Sequence, residues 1–186
     1  MPASVIIACL WLAWLSYWWL SARDVKPARW REPVASQLTH RVPLILGVLL
    51  YPALSWFPML SRRFLPLGRF FPILGMLLVA GGLGFSVWAR RHLGRNWSAS
   101  VVVKEDHGLI RTGPYRWVRH PIYTGILLAF LGMTLTIGEW RALIGLALVV
   151  ASFVRKGQVE EERMRETFAE YAQYERETSA LVPYIY

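Results

Sequence analysis

Five long apolar blocks, at about 4–20, 42–60, 70–89, 121–137 and 140–154, constrain this chain of 186 residues more than any other feature. The first three approach the ~20 residues a helix needs to cross ~30 Å of hydrocarbon. In lipid, backbone N–H and C=O groups find no water, so such blocks fold as helices that satisfy their own hydrogen bonds. Composition points the same way: 18% of the residues are charged and 55% hydrophobic, where a soluble domain carries ~25% charged residues. The last two blocks are shorter, with only Gly138 and Glu139 between them. They predict a tight hairpin of two spans, Arg155 and Lys156 snorkelling to lengthen the second.

The net charge of +9 would suit nucleic acid, but the basic residues stand in the gaps between apolar blocks, where topology accounts for them. Taking alternate gaps, 17 of the 21 Lys and Arg fall on one side. The positive-inside rule then puts the N-terminus outside and the C-terminus in the cytoplasm. "ACLWLAWLSYWWL" is followed by Arg23 rather than a small-residue cleavage site, so the first block reads as a retained helix and not a signal peptide. Cys9, the single cysteine, excludes an intrachain disulfide and reads as a small buried hydrophobe. Pro43, Pro52 and Pro58 predict kinks in the second helix, and "AGGLG" at 80–84 offers a small-residue face for close helix approach. The ten tryptophans cluster near block ends and read as interfacial anchors.

Two segments on the cytoplasmic side are not membrane-like. Residues 90–120 contain an extended "SASVVV" and a turn, "TGPY". Residues 155–177 hold seven of the twelve acidic residues and repeat Val159, Met164, Phe168, Tyr171 and Tyr174 at three- to five-residue steps. That predicts an amphipathic helix continuing out of the last span.

Polar groups meet the membrane most abruptly at "WVRHPIYTG", 117–125. Pro121 suits a first helical turn, which leaves His120 near the N-cap, beside the positive end of the helix dipole. With Arg119 and Tyr123, that end forms a candidate anion site; anchoring of lipid headgroups is the alternative. Glu160 and Glu161 are adjacent, so on a helix they diverge by ~100° and only one is expected to head into a site. A solvated acidic face is the alternative there. The four histidines show no HxxxH or HxxE spacing, and no P-loop or strand-preceded GxGxxG is present, so neither a metal nor nucleotide phosphates are called for.

"GLIRTGPYRWVRHPIYTGILL", followed by "KGQVEEERMRETFAEYAQY" and a terminal "LVPYIY", resembles the isoprenylcysteine carboxyl methyltransferase and phospholipid methyltransferase superfamily over about 94–186. The resemblance implies an all-α polytopic membrane protein with about five transmembrane helices, a cytoplasmic cofactor-binding segment and a C-terminal amphipathic helix. It divides the chain into 1–93, three N-terminal spans, and 94–186, the methyltransferase region. It further implies S-adenosylmethionine as cofactor and a lipophilic methyl acceptor, a prenylcysteine-like carboxylate or a lipid headgroup. The implied cofactor pocket takes His107, Gly108, Leu109, Ile110, Tyr115, His120, Pro121, Ile122, Tyr123, Glu160 and Glu161, with Arg119 beside them. Lys156 falls where these enzymes place a basic residue near the substrate carboxylate, although lysine is only a point charge. The implied catalytic set is His120, Tyr123, Lys156 and Glu160; Glu162 leaves the register of the glutamate run open by one. Two other readings stand beside it. In an NADPH-dependent membrane sterol-type reductase, Arg90, Arg91, Arg95 and Arg111 would meet a 2′-phosphate. A non-enzymatic membrane scaffold would bind no small ligand.

Overall fold

The computed structural model describes residues 2–22, 28–52, 58–94, 102–104 and 109–183, the two strands by their backbone. Its elements in chain order are α1 (Ala3–Ser21), β1 (Ala28–Arg31), α2 (Val34–Leu49), α3 (Phe70–Leu93), β2 (Val102–Lys104), α4 (Pro121–Ile137), α5 (Trp140–Thr167) and α6 (Tyr171–Glu177). The first five helices form the predicted apolar bundle. α1, α3 and α5 are long and apolar enough to cross a membrane. α2 and α4, at 16 and 17 residues, reach only ~25 Å at 1.5 Å per residue.

The second apolar helix differs from expectation. It begins at Val34 and ends at Leu49, so that only Pro43 lies inside it, Pro52 and Pro58 falling beyond its end. Its first turns are polar, which hides them from a hydropathy reading, but their polar groups are paired. Buried Glu32 accepts from Ser36 Oγ at 2.5 Å and meets His40 Nε2 at 3.1 Å. Ser152 of α5 donates to the His40 carbonyl at 2.6 Å. Such pairing is what permits ionisable residues inside a membrane bundle.

α3 packs on α4 and α2 on α5, across the 93/94 boundary. Glycine makes the first contact close. A Cβ built on Gly82 would lie 2.4 Å from the Gly125 carbonyl oxygen, and one on Gly75 2.4 Å from that of Gly132. Within "AGGLG" only Gly82 is in this seam; Gly81 and Gly84 face open space. Three of the expected interfacial tryptophans also pack inward: Trp14 stacks on Trp18 at 4.4 Å and donates to Ser86 Oγ at 2.7 Å, and Trp11 donates to Met133 Sδ. Outward, the helices present Leu12, Leu15, Trp19, Leu77 and Ile144, an apolar surface suited to lipid.

Gly138 closes the α4–α5 hairpin at φ +65°, where a Cβ would strike the Arg63 guanidinium, and the backbones of Arg63 and Glu139 form an isolated antiparallel β-bridge. At the opposite end β1 pairs antiparallel with β2, joining the 21–33 and 94–120 segments. "SASVVV" is thus extended through Val102 and Val103, while Ser98–Val101 lie outside the described residues. Arg90, buried at the end of α3, donates to the carbonyls of Gly94 and Ser21. The expected amphipathic helix is in two pieces. α5 runs unbroken from Trp140 to Thr167, Phe168 adopts an extended conformation, and α6 follows.

Candidate active site

The Arg119-His120-Pro121 junction lies where the apolar length of α5 gives way, past Val154, to its polar extension. Residues 155–167 stand outside the span. A tail running through 178–183 holds the junction in place. Arg119 N and His120 N donate to the carbonyls of Ser179 and Ala180 at 2.9 and 3.0 Å, and Thr124 Oγ1 donates to that of Leu181 at 2.6 Å. Pro121 opens α4 as predicted, and no side chain caps it.

The His120 ring sits against Gly157 of α5, whose hypothetical Cβ would lie 3.3 Å from Nε2. Glu160 and Glu161, three and four residues on, rise on either side of that notch. Nδ1 is 3.4 Å from Glu160 Oε2 and Nε2 is 3.0 Å from Glu161 Oε1. The expectation that only one glutamate turns inward is therefore corrected. The Cα directions do diverge, but each side chain is long enough to reach its own edge of one imidazole. Glu162 is exposed, and Glu160 and Glu161 are the two glutamates of the run that meet His120.

On the Glu160 side, Tyr123 donates to Oε1 at 2.6 Å and stacks on the His120 ring at 5.3 Å and on Phe153 at 4.7 Å. Lys156 Nζ is 4.0 Å from the same carboxylate and 5.1 Å above the Tyr123 ring. On the Glu161 side, Arg119 Nε donates to Oε1 at 2.7 Å, and Nη1 donates to the carbonyls of Glu175 and Thr178. Arg119 Nε and Nη1 are thus engaged inside the protein, on Glu161 and the tail. Pro121 and Ile122 are buried in the first turn of α4. Tyr115, buried in a 3-10 turn over Gly113–Arg116, accepts from Tyr174 Oη through its carbonyl at 2.6 Å. Leu109 and Ile110 are half-buried, and Ile110 packs on the core. His107 and Gly108 lie outside the described residues.

The charges are coupled. Burial by itself pushes the His120 pKa down, but its hydrogen bonds to Glu160 and Glu161 outweigh that and raise it. Burial would raise Glu161, yet the bonds from His120 and Arg119 hold its carboxyl down at about 2. Glu160 likewise lies below the usual range: against burial stand His120, the Lys156 charge and the Tyr123 hydroxyl. With a carboxylate oxygen beside each ring nitrogen, this clasp favours the protonated imidazole. Gly157, which allows the clasp, escaped the sequence reading; its signal was a small residue one turn before the pair.

The arginine cluster that a reductase reading requires is not assembled among the described residues. Arg90 is buried on backbone carbonyls and Arg111 pairs with Glu177, leaving Arg91 exposed; Arg95 lies outside the described residues. The described residues also contain no cluster of three or more His, Cys, Asp or Glu able to hold a metal ion.

A family model described as phospholipid methyltransferase matches residues 70–171. The chain is 33% identical over 117 residues to the protein-S-isoprenylcysteine O-methyltransferase of Saccharomyces cerevisiae, covering 61% of this chain and 49% of that protein. It is 33% identical over 113 residues to the cobalt-zinc-cadmium resistance protein CzcN of Cupriavidus metallidurans, covering 58% and 50%. The chain thus spans about half the length of these curated relatives. Among solved structures, the eukaryotic intramembrane Ras methyltransferase ICMT superposes with a TM-score of 0.51 at 23% identity, over 81% of this chain and 52% of that one. At that identity the likeness establishes the fold alone.

Proposed function

Because the chain belongs to the phospholipid methyltransferase family, matched over residues 70–171, we propose that it is an integral membrane, S-adenosylmethionine-dependent methyltransferase acting on a lipophilic acceptor. The observation that carries this reading is the convergence of His120, Tyr123, Lys156 and Glu160 at the junction of span and polar extension. Their chemistry fits the cofactor. Glu160 offers a carboxylate to ribose hydroxyls or an ammonium group, and Tyr123, stacked between His120 and Phe153, fixes its orientation. We assign the cofactor to the face formed by 107–123 and 156–174, the N-terminus to the outside and the C-terminus to the cytoplasm. The 1–93 helices would then line the lipid entrance and 94–186 would carry the cofactor.

When bound, S-adenosylmethionine supplies a methyl group already attached to a sulfonium leaving group. The chain's own residues then have to hold, align and exclude water. The charge state of the clasp narrows the acceptor. His120, with a carboxylate at each ring nitrogen, is shifted towards its protonated form, and Glu160 is held below the usual carboxylate range, which weakens both as bases. That favours a carboxylate acceptor of the prenylcysteine type, which needs no base, over a hydroxyl. Lys156 would steer that carboxylate as a point charge.

Thermal unfolding of the detergent-purified protein with S-adenosylhomocysteine and, separately, with NADPH tests the reading. A ligand at 100 times its dissociation constant adds about 2.7 kcal/mol of stability. Stabilisation by S-adenosylhomocysteine is the expected result. Stabilisation by NADPH alone would overturn the methyltransferase reading, and methylation of a lipid amine but not of a prenylcysteine would overturn the acceptor.

A further inference from the structure

On the other side of the Arg119–Glu161 pair from Tyr123 and Lys156 lies a cleft of about 730 Å³. One wall is the face of α5 carrying Gln158, Glu161 and Arg165, spaced three and four residues apart as one helical stripe. The opposite wall is Glu175–Ala180, and Arg116 and Trp117 form the rim.

The charges in this cleft do not balance locally. Its three carboxylates are already engaged. Glu161 is held by Arg119 and His120, Glu175 by Nε and Nη2 of Arg165 at 2.9 and 2.5 Å, and Glu177 by Arg111. Arg116 and Arg176 line the same cleft and pair with no carboxylate among the described residues. Arg116 only lies over the Trp117 ring, 4.5 Å from its centroid. The Gln158 side-chain amide, also in the lining, has no hydrogen-bond partner among the described residues. Two exposed guanidiniums and an amide therefore present donors, with a net positive field, to a space large enough for a headgroup.

The rim also gives the level of the site. Trp117 is 41% exposed and packs edge-on against Trp88, itself 43% exposed, at 6.0 Å. Exposed tryptophan at the end of a span marks the membrane–water interface. Gln158 lies one helical turn beyond Val154, where the apolar length of α5 ends. The cleft thus opens at headgroup depth.

We propose that this cleft binds a phosphate group, the chemistry of an acidic phospholipid headgroup at the adjoining leaflet, through Arg116 and Arg176. Planar guanidiniums suit phosphate oxygens, and basic residues at a membrane surface favour acidic over zwitterionic lipid. The cleft adjoins the face assigned to the cofactor and shares Arg119 and Glu161 with it, but the phosphate assignment rests on Arg116 and Arg176 and not on methyl transfer. The two meet at Glu161, which faces the cleft and clasps His120.

The test uses the full chain in nanodiscs of phosphatidylcholine, with and without phosphatidylglycerol, and in detergent with inorganic phosphate alone. Lipid retained after purification is quantified for the parent and for the Arg116→Ala/Arg176→Ala variant. These two side chains make no ion pair among the described residues, so the variant should keep the parent's gel-filtration profile and unfolding midpoint. Enrichment of phosphatidylglycerol over phosphatidylcholine in the parent, reduced about tenfold in the variant, supports a lipid source. Binding of inorganic phosphate that displaces phosphatidylglycerol and is lost in the variant supports the same site with a free anion as ligand. Equal lipid retention by parent and variant, or no preference for the acidic lipid and no phosphate binding, overturns the proposal.

Discussion

Tyr123 donates its phenolic hydrogen to Glu160 across 2.6 Å, and this one bond ties the first turn of α4 to the polar extension of α5. The residues on which the methyltransferase reading rests are gathered around it.

Glu160→Ala should abolish most of the stabilisation by S-adenosylhomocysteine, weakening the apparent affinity about tenfold or more, as loss of a charge-assisted hydrogen bond does. Glu162→Ala, at an exposed position, should change it less than twofold. Equal affinities in titrations of parent and Glu160→Ala would remove Glu160 from the cofactor site.

Stability should depend on pH in a way the clasp dictates. The His120 pKa is raised on folding, so its contribution is complete below about pH 6.5, the unfolded value. It fades as pH rises through the folded one. Glu161 is depressed to about 2, so its contribution is complete above pH 4.5 and fades as pH falls towards 2. Unfolding midpoints from pH 3 to 9 should form a plateau with two shoulders. His120→Asn should flatten the alkaline shoulder, and an unchanged one would mean the imidazole is not the group responsible.

Arg119→Ala should cost about 3 kcal/mol or more. It leaves Glu161, whose side chain is 10% exposed, short of a partner, and frees two carbonyls of the tail. Limited proteolysis should then cut within 175–183, whereas Arg116→Ala should stay within about 0.5 kcal/mol of the parent. Resistance of the Arg119→Ala tail to protease would show that the tail is held by other means.

Gly82→Ala and Gly125→Ala should each destabilise by about 1–3 kcal/mol, because the added methyl meets a backbone oxygen at 2.4 or 2.5 Å. Gly84→Ala, two residues away and facing open space, should be neutral or stabilising. Similar unfolding midpoints for Gly82→Ala and Gly84→Ala would dismiss the close seam.

The α4–α5 hairpin was legible because its signals are local: an uninterrupted apolar run after Pro121, and Gly138 at the only bend. α2 was displaced because Ser36, Gln37 and His40 look like loop residues until their pairing with neighbouring Glu32, and with Ser152 from far down the chain, is in place. β1 had no detectable pattern, since four residues become a strand only when β2 arrives from about seventy residues downstream. The polar site residues were recognisable as a motif, but their arrangement was not. A helical-wheel angle describes where Glu160 and Glu161 leave the backbone, and the flexible ends of both decide where they arrive.

The glycine seam between α3 and α4 repeats every seven residues on both helices, Gly75 with Gly132 and Gly82 with Gly125. It therefore works as a depth gauge. One residue added between Gly125 and Gly132 would swing one contact ~100° around the helix, so neither helix can change length between its glycines. From Gly125 to His120 is five residues, ~7.5 Å. The height at which the polar cluster rides above the lipid is thus set inside the apolar bundle, and descendants of this fold can vary their span lengths only beyond the glycines.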